Sequence, residues 1–280
     1  MSERLDALLR RGTLRLTEAG IAGAPRDARL LLAGAAGLRP DRLSLELGQP
    51  AADTVTGTFN AYLDRRIAHE PVSRILGQRL FWGRSFRVTP DVLDPRPETE
   101  SLIAAALEGG AAQRLLDLGT GSGIIAATLL AEWPGATGVA TDVSPAALAV
   151  AGDNAAALAV ADRLTCVEAD WWQGVEGRFD LIASNPPYIT EAEMADLAPE
   201  VANFDPTGAL TPGGDGLAPY RIIAARAREH LTPGGRLLVE IGWRQGADVA
   251  ALFRAAGLAE VAVLPDMDGR DRVVTGRAPA

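Results

Sequence analysis

From Arg114 onward, short apolar runs alternate with longer segments of helical character, and this alternation limits the fold more than any other feature of the chain. Leu115 to Leu118, Thr137 to Thr141, Leu164 to Val167, Asp180 to Ser184 and Gly235 to Ile241 read as strands. Ile124 to Trp133, Pro145 to Leu158, Leu217 to Leu231 and Ala247 to Ala256 read as helices among them. Strands joined through helices return in the same direction, so a mostly parallel sheet covered on both faces is expected. Val261 to Leu264 and Arg272 to Thr275 are expected to close it as an antiparallel pair. The fold class is therefore α/β.

The first 70 or so residues have a different character. Leu5, Leu8 and Leu9 mark one helical face, Asp27 to Leu38 is dense in Ala and Leu, and Pro40 interrupts. Phe59, Tyr62, Leu63 and Ile67 then recur near the 3.6 spacing of a helix over Ala52 to His69. Arg79 to Val88 reads as a hairpin with Gly83 in its turn. Pro90, Pro95 and Pro97 stiffen the joint that follows, and Glu98-Thr99-Glu100 opens a helix through Leu107 whose first turn favours acids. The expected division is a helical domain over 1–77, a hairpin and Pro-rich linker over 78–97, and the α/β domain over 98–280.

Composition narrows the partners. The formal charge is −9, and all 27 basic residues are Arg. Replacing counterions on nucleic-acid phosphates takes a basic surplus, so no direct nucleic-acid partner is expected. No apolar run approaches the roughly 18 residues that span a bilayer, and the acidic N-terminus does not resemble a secretory signal. The single Cys166 suits a reducing compartment, so a cytoplasmic location is expected. His69 and His230 lie far apart with no Cys nearby, so no metal site is expected.

In an open parallel sheet, ligands bind beyond the carboxyl ends of the strands. The sequence Asp117-Leu118-Gly119-Thr120-Gly121-Ser122-Gly123 stands at the end of the first such strand. Its glycines let backbone approach a ligand, and their G-x-G-x-G spacing is not the G-x-G-x-x-G of pyrophosphate-bound dinucleotides. A plain structural turn is the competing reading. Asp142 ends the second strand about 20 residues on, where an acid can accept hydrogen bonds from ribose hydroxyls. Ser144 before Pro145 suits a helix N-cap better than Asp142 does. Trp171 follows the third strand and can wall an adenine ring or serve as a rim aromatic.

The second motif is Asn185-Pro186-Pro187-Tyr188, after the fourth strand. Proline after Asn185 pushes its backbone out of the helical region, and the two prolines remove donors while leaving carbonyl acceptors. A rigid corner results, in which the Asn185 carboxamide and the Pro186 carbonyl can accept both hydrogens of an –NH₂ group. Tyr188 can offer an aromatic face to a planar group. An amide nitrogen is a weak nucleophile because its lone pair is delocalised, so such a site must orient and polarise it against an activated methyl.

With these residues in place, the chain resembles the glutamine-N5 methyltransferases that modify bacterial peptide-chain release factors, the PrmC/HemK family. The resemblance runs through Glu70-Pro71, Gly77 and Phe81-Trp82; Pro95-Arg96-Pro97-Glu98-Thr99-Glu100; Asp117 to Gly123; Asp142; Asp170-Trp171; Asn185 to Tyr188; and Glu240-Ile241-Gly242. It implies a Rossmann-like class I S-adenosylmethionine-dependent methyltransferase domain behind a small helical domain that docks the substrate protein. It implies S-adenosylmethionine on Gly119, Thr120, Gly121, Ser122 and Gly123, with Asp142 on the ribose, Trp171 near the adenine and Asn185 beside the transferred methyl. It further implies that Asn185, Pro186, Pro187 and Tyr188 hold the glutamine of a Gly-Gly-Gln loop in class-one release factors. A monomer is expected. Asp94 departs from the aliphatic residue usual before Pro-Arg-Pro. The competing activities are a ribosomal-protein glutamine methyltransferase and an adenine-N6 methyltransferase, which shares Asn-Pro-Pro-Tyr. A vestigial binding module conflicts with the intact motifs, and a nicotinamide dehydrogenase with the placement of the third glycine.

Overall fold

The computed structural model describes residues 3–280, which divide into two units. The first contains the residues up to Gln78 together with Ala198–Phe204; the second contains Arg79–Leu197 and Asp205–Ala280.

In the first unit the chain forms α1 (Leu5–Glu18), α2 (Ala24–Ala35), α3 (Leu43–Glu46), α4 (Asp53–Ile67) and α5 (Val72–Leu76). Leu8 and Leu16 recur at helical spacing and are fully buried with Leu31, Leu32, Phe59 and Leu63. Gly12 lies between those two leucines because a Cβ there would stand 2.4 Å from the Phe59 ring. The buried guanidinium of Arg66 donates to Asp27 at 2.8 Å and to Glu200 at 3.1 Å. A buried cation needs such partners, and this pairing ties the 198–204 segment to the helices.

A hairpin follows, β1 (Gln78–Phe81) and β2 (Arg84–Arg87), which from Arg79 onward belongs to the second unit. Trp82 and Gly83, at φ 48° and 71°, form its two-residue turn in the left-handed geometry that matches strand twist. A 3₁₀ turn over Pro97–Thr99 leads into α6 (Glu100–Glu108). Then come β3 (Arg114–Leu118), α7 (Ile124–Glu132), β4 (Thr137–Asp142), α8 (Pro145–Ala157), β5 (Leu164–Glu168) and β6 (Phe179–Ser184). After α9 (Pro199–Ala202), which belongs to the first unit, follow α10 (Thr207–Leu210), α11 (Ala218–His230) and β7 (Leu231–Glu240). The chain ends with α12 (Gly246–Ala255), β8 (Ala259–Pro265) and β9 (Asp271–Arg277).

The sheet order is β5-β4-β3-β6-β7-β9-β8. Strands β5 through β7 are parallel, and β9 runs antiparallel to both β7 and β8. Strand β7 starts earlier than the Pro233-Gly234-Gly235 sequence suggests. Those residues form a bulge opposite Phe179 and Leu181 instead of a turn before the strand. Side chains alternate across the sheet: Leu115 packs with Ile103, Leu129 and Leu130, while Leu116 and Leu118 pack with Ile223, Val249 and Phe253. Each such leucine is fully buried, which stabilises the fold by about 1.5–3 kcal/mol.

Candidate active site

Chain order reverses direction across the sheet at β3, with β4 and β5 on one side and β6 and β7 on the other. Ligand crevices form at such switch points, beyond the carboxyl ends of the strands. Leu118 pairs with Thr141 on one side and Ser184 on the other. The next residue of each strand therefore emerges at one edge: Asp142, Gly119 and Asn185, side by side. Parallel strands lie about 4.8 Å apart, so the Asp142 and Asn185 backbones stand about 10 Å from each other across the Gly119 loop. The Ser184 hydroxyl donates to the Leu118 carbonyl at 2.7 Å, and the Thr120 N–H donates to the Thr141 carbonyl at 2.8 Å. These bonds fix the three strand ends against one another.

Above this edge opens a cavity of about 550 Å³, within the range of small-molecule and cofactor sites. Gly119, Thr120, Gly121 and Ser122 line it, as do Asp142, Trp171, Asn185 and Pro187. Gly119 and Gly121 have φ of 67° and 54°, and a Cβ on either would meet no protein atom within 4 Å. The loop thus presents bare backbone to open space. Trp171, also at positive φ (54°), carries backbone strain at the cavity wall.

Asp142 has two structural bonds. Its Oδ2 accepts the Gly121 N–H at 2.9 Å and its Oδ1 accepts the Ser144 N–H at 2.9 Å. A carboxylate has about four acceptor positions, so each oxygen keeps one for a ligand hydroxyl. Ser144 caps α8 as expected, accepting the Ala147 N–H at 3.2 Å. Asp117 is fully buried beneath the loop; its Oδ2 accepts the Thr120 hydroxyl at 2.6 Å and the Ala126 N–H at 3.1 Å. Burial pushes its carboxyl up to about 6. It anchors the start of α7 to the loop and does not line the cavity.

At the other end of the edge, the Asn185 Nδ2 donates to the Thr99 hydroxyl at 3.2 Å. With its NH₂ engaged there, the carboxamide keeps Oδ1 as a free acceptor. Three expected site residues do not line the cavity: Gly123, Pro186 and Tyr188. Gly123 opens α7 at φ 79°, and a Cβ there would stand 3.0 Å from Ala151 Cα, so its absence allows two helices to pack closely. Pro186 is buried. The Tyr188 ring packs against the core on the α11 and α12 face, and burial raises its phenol pKa. Its carbonyl accepts Gln245 Nε2 at 3.0 Å, which holds the corner from behind.

Several residues at the site carried no site role in the sequence reading. Asp91, Val92, Leu93, Pro95, Arg96 and Thr99 form one wall of the cavity, so the proline-stiffened joint is itself a lining element. Pro206, Gly208 and Ala209, around the single turn of α10, form another. Gly216, at φ 74°, passes so close to the corner that a Cβ would stand 2.3 Å from the Tyr188 carbonyl oxygen. Asp94, the departure before Pro-Arg-Pro, is 2% exposed and pairs with Arg79 at 3.6 Å. Its backbone N–H donates to Asp205 at 3.1 Å, and Asp205 also binds Arg96.

Solved structures share the fold. A methyltransferase from Pyrococcus furiosus superposes with a TM-score of 0.54 at 19% identity, over 71% of this chain and 91% of that one. The hMettl16 catalytic domain, in complex with an RNA hairpin, gives a TM-score of 0.56 at 18% identity, over 71% and 76%. The PrmC N-terminal domain family matches residues 7–77, and the methyltransferase small domain family matches residues 97–217. The release factor glutamine methyltransferase of Cereibacter sphaeroides is 60% identical over 97% of this chain and 98% of its own length. That of Rhodospirillum rubrum is 46% identical over 99% and 86%. With that identity over nearly its whole length, this chain belongs to the family of release factor glutamine methyltransferases.

Proposed function

We propose that this chain transfers the methyl group of S-adenosylmethionine to the side-chain amide nitrogen of the glutamine in the Gly-Gly-Gln loop of class-one release factors. The observation that carries the reading is the single register row Ser184–Leu118–Thr141, which brings Asn185, the Gly119 loop and Asp142 to one cavity. The cavity suits the cofactor: bare backbone at Gly119 and Gly121, unused acceptor positions on Asp142 for ribose hydroxyls, and Trp171 for the adenine. When bound, the cofactor supplies an electrophilic methyl on a sulfonium.

The remaining steps belong to the chain. Asn185 Oδ1 accepts one hydrogen of the substrate amide, and the Pro186 carbonyl, although Pro186 is buried and does not line the cavity in this structure, is assigned the other. That orients its nitrogen and draws electron density toward it, and the stiff Pro186-Pro187 backbone limits the entropy lost on alignment. Each hydrogen bond contributes about 0.5–1.5 kcal/mol, more as the nitrogen gains positive character. The methylated nitrogen is acidic and loses its proton without a strong base. The helical unit is read as the part that docks the protein substrate. We further infer a monomeric cytoplasmic enzyme with no direct nucleic-acid or membrane partner; the charge of −9 supports the absence of a nucleic-acid partner. Among the described residues, no helix is long and apolar enough to cross a membrane. Incubation with isotope-labelled cofactor and a purified release factor, followed by peptide mapping, tests the reading. Label on the Gly-Gly-Gln glutamine supports it; label on another residue, or none, refutes it.

A further inference from the structure

Behind the corner lies a group that the transfer step does not touch. Glu240, the last residue of β7, is fully buried, and neither carboxyl oxygen has a hydrogen-bond partner. Its backbone carbonyl, by contrast, accepts the Tyr220 hydroxyl at 2.8 Å. A buried carboxyl without partners costs stability, so its presence here calls for a reason. The Thr99 hydroxyl, itself fully buried, faces it and favours the charged form. Thr99 Oγ1 already accepts the Asn185 Nδ2 at 3.2 Å, so its own hydrogen is free to point at Glu240. The Thr99 O–H completes no hydrogen bond to the carboxyl in this structure; catalytic hydrogen bonds are often long or poorly aligned until substrate binds and then tighten.

We propose that Glu240 and Thr99 are positioning residues that set which end of the Asn185 carboxamide faces the cavity. The chain of donors runs Asn185 Nδ2–H to Thr99 Oγ1, and Thr99 O–H to the Glu240 carboxylate. With that polarity, Oδ1 is the end presented to an incoming –NH₂, and aligned hydrogen bonds strengthen it as an acceptor. A protonated Glu240 reverses the chain. Its O–H donates to Thr99, Thr99 donates to Asn185 Oδ1, and the carboxamide then turns Nδ2, a donor, toward a substrate that brings only donors. Burial pushes the Glu240 carboxyl up to about 7, so both polarities are accessible near neutral pH. The charged groups acting on it are Arg272 from β9 and Glu98 and Arg96 beside the 3₁₀ turn; the Tyr188 phenol also faces it.

This inference rests on the amide-holding role of Asn185 but is tested without a substrate. In protein labelled with ¹⁵N-asparagine, the side-chain resonances of Asn185 are followed from pH 6 to 8. They are expected to titrate in the wild type and in Thr99→Ser, and to be flat in Thr99→Val and Glu240→Gln. Flat resonances in the wild type, or titration that survives in Thr99→Val, overturn the relay even if the enzyme methylates its substrate. In kinetics, Thr99→Val is expected to lower kcat at least tenfold with an unchanged KM, and Thr99→Ser to restore most of it. Thr99→Ser as slow as Thr99→Val overturns the proposal. Loss of release-factor methylation by the wild-type enzyme would instead refute the assigned substrate, leaving the resonance result to judge the relay.

Discussion

Asp142 Oδ2 accepts the backbone N–H of Gly121 at 2.9 Å, so the acid proposed to bind the ribose also holds the loop proposed to carry the cofactor. Asp142→Ala removes both roles. Hydrogen bonds to a charged group contribute about 1.5–3 kcal/mol, so the cofactor dissociation constant is expected to rise about 10- to 100-fold. At saturating cofactor, kcat stays within a few-fold. Titration calorimetry checks the first expectation, and an unchanged dissociation constant would remove Asp142 from the cofactor site.

Gly216 holds the far side of the corner. Its φ of 74° disfavours a side chain, and the atom in the way of a Cβ is the Tyr188 carbonyl oxygen, at 2.3 Å. Backbone cannot rotate aside as a side chain can. Gly216→Ala is therefore expected to displace Tyr188 and, through the rigid prolines, Asn185. Turnover should fall at least tenfold while cofactor affinity holds. Equal losses in both quantities would indicate general unfolding instead.

Glu240 links function to stability. Burial raises its carboxyl from 4.5 to about 7, with Thr99 and Arg272 opposing the shift only in part. Between these values the unfolded chain has released the proton and the folded chain retains it. The folded state binds more protons there, so its stability falls as pH rises through the window and stays reduced above it. The full shift corresponds to about 3 kcal/mol. Glu240→Gln removes the ionisation and is expected to raise Tm by several degrees at pH 8, with a much smaller gain at pH 5.5. Thermal melts at the two pH values check this; an equal gain at both would contradict it.

Asp94 is a charge in an apolar position. Its Arg79 partner stands at 3.6 Å with a side chain 27% exposed, and Oδ1 has no hydrogen-bond partner. Removing one partner of a buried ion pair is costly where the other charge stays buried, whereas a carboxylate oxygen buried without a hydrogen bond itself costs stability, so the sign is set by whether Arg79 reaches water. Arg79 can turn its head to solvent. Asp94→Val is expected to raise the urea midpoint without changing its slope. A lowered midpoint would show that the Arg79 pair stabilises the joint.

The sheet was legible because its signal is local. Apolar runs and caps such as Ser144 mark each strand and helix, and residues one step beyond a strand end must share an edge. That is why Gly119, Asp142 and Asn185 could be named together. What escaped sequence reading depends on distance or on length. Thr99 meets Asn185 across 86 residues, and Glu240 is written into an ordinary apolar strand, where nothing marks its carboxyl as buried. The four-residue helices α9 and α10 are too short to show periodicity. The pairing of Glu200 with Arg66 assigns part of the 98–280 stretch to the helical unit, which needs a fold to be seen. Tyr188 sits next to the corner in sequence, but its ring packs on the core side.

The central claim is that the Asn185 carboxamide holds the acceptor nitrogen and not the cofactor. Single-turnover methylation of a purified release factor by Asn185→Ala, with cofactor affinity measured on the same sample, tests it most directly. The account predicts a rate reduced at least 100-fold and a cofactor dissociation constant within about threefold of wild type, the rate loss corresponding to about 2.7 kcal/mol or more. A variant that methylates the Gly-Gly-Gln glutamine at the wild-type rate, or one whose lost activity is restored by excess cofactor, would contradict it.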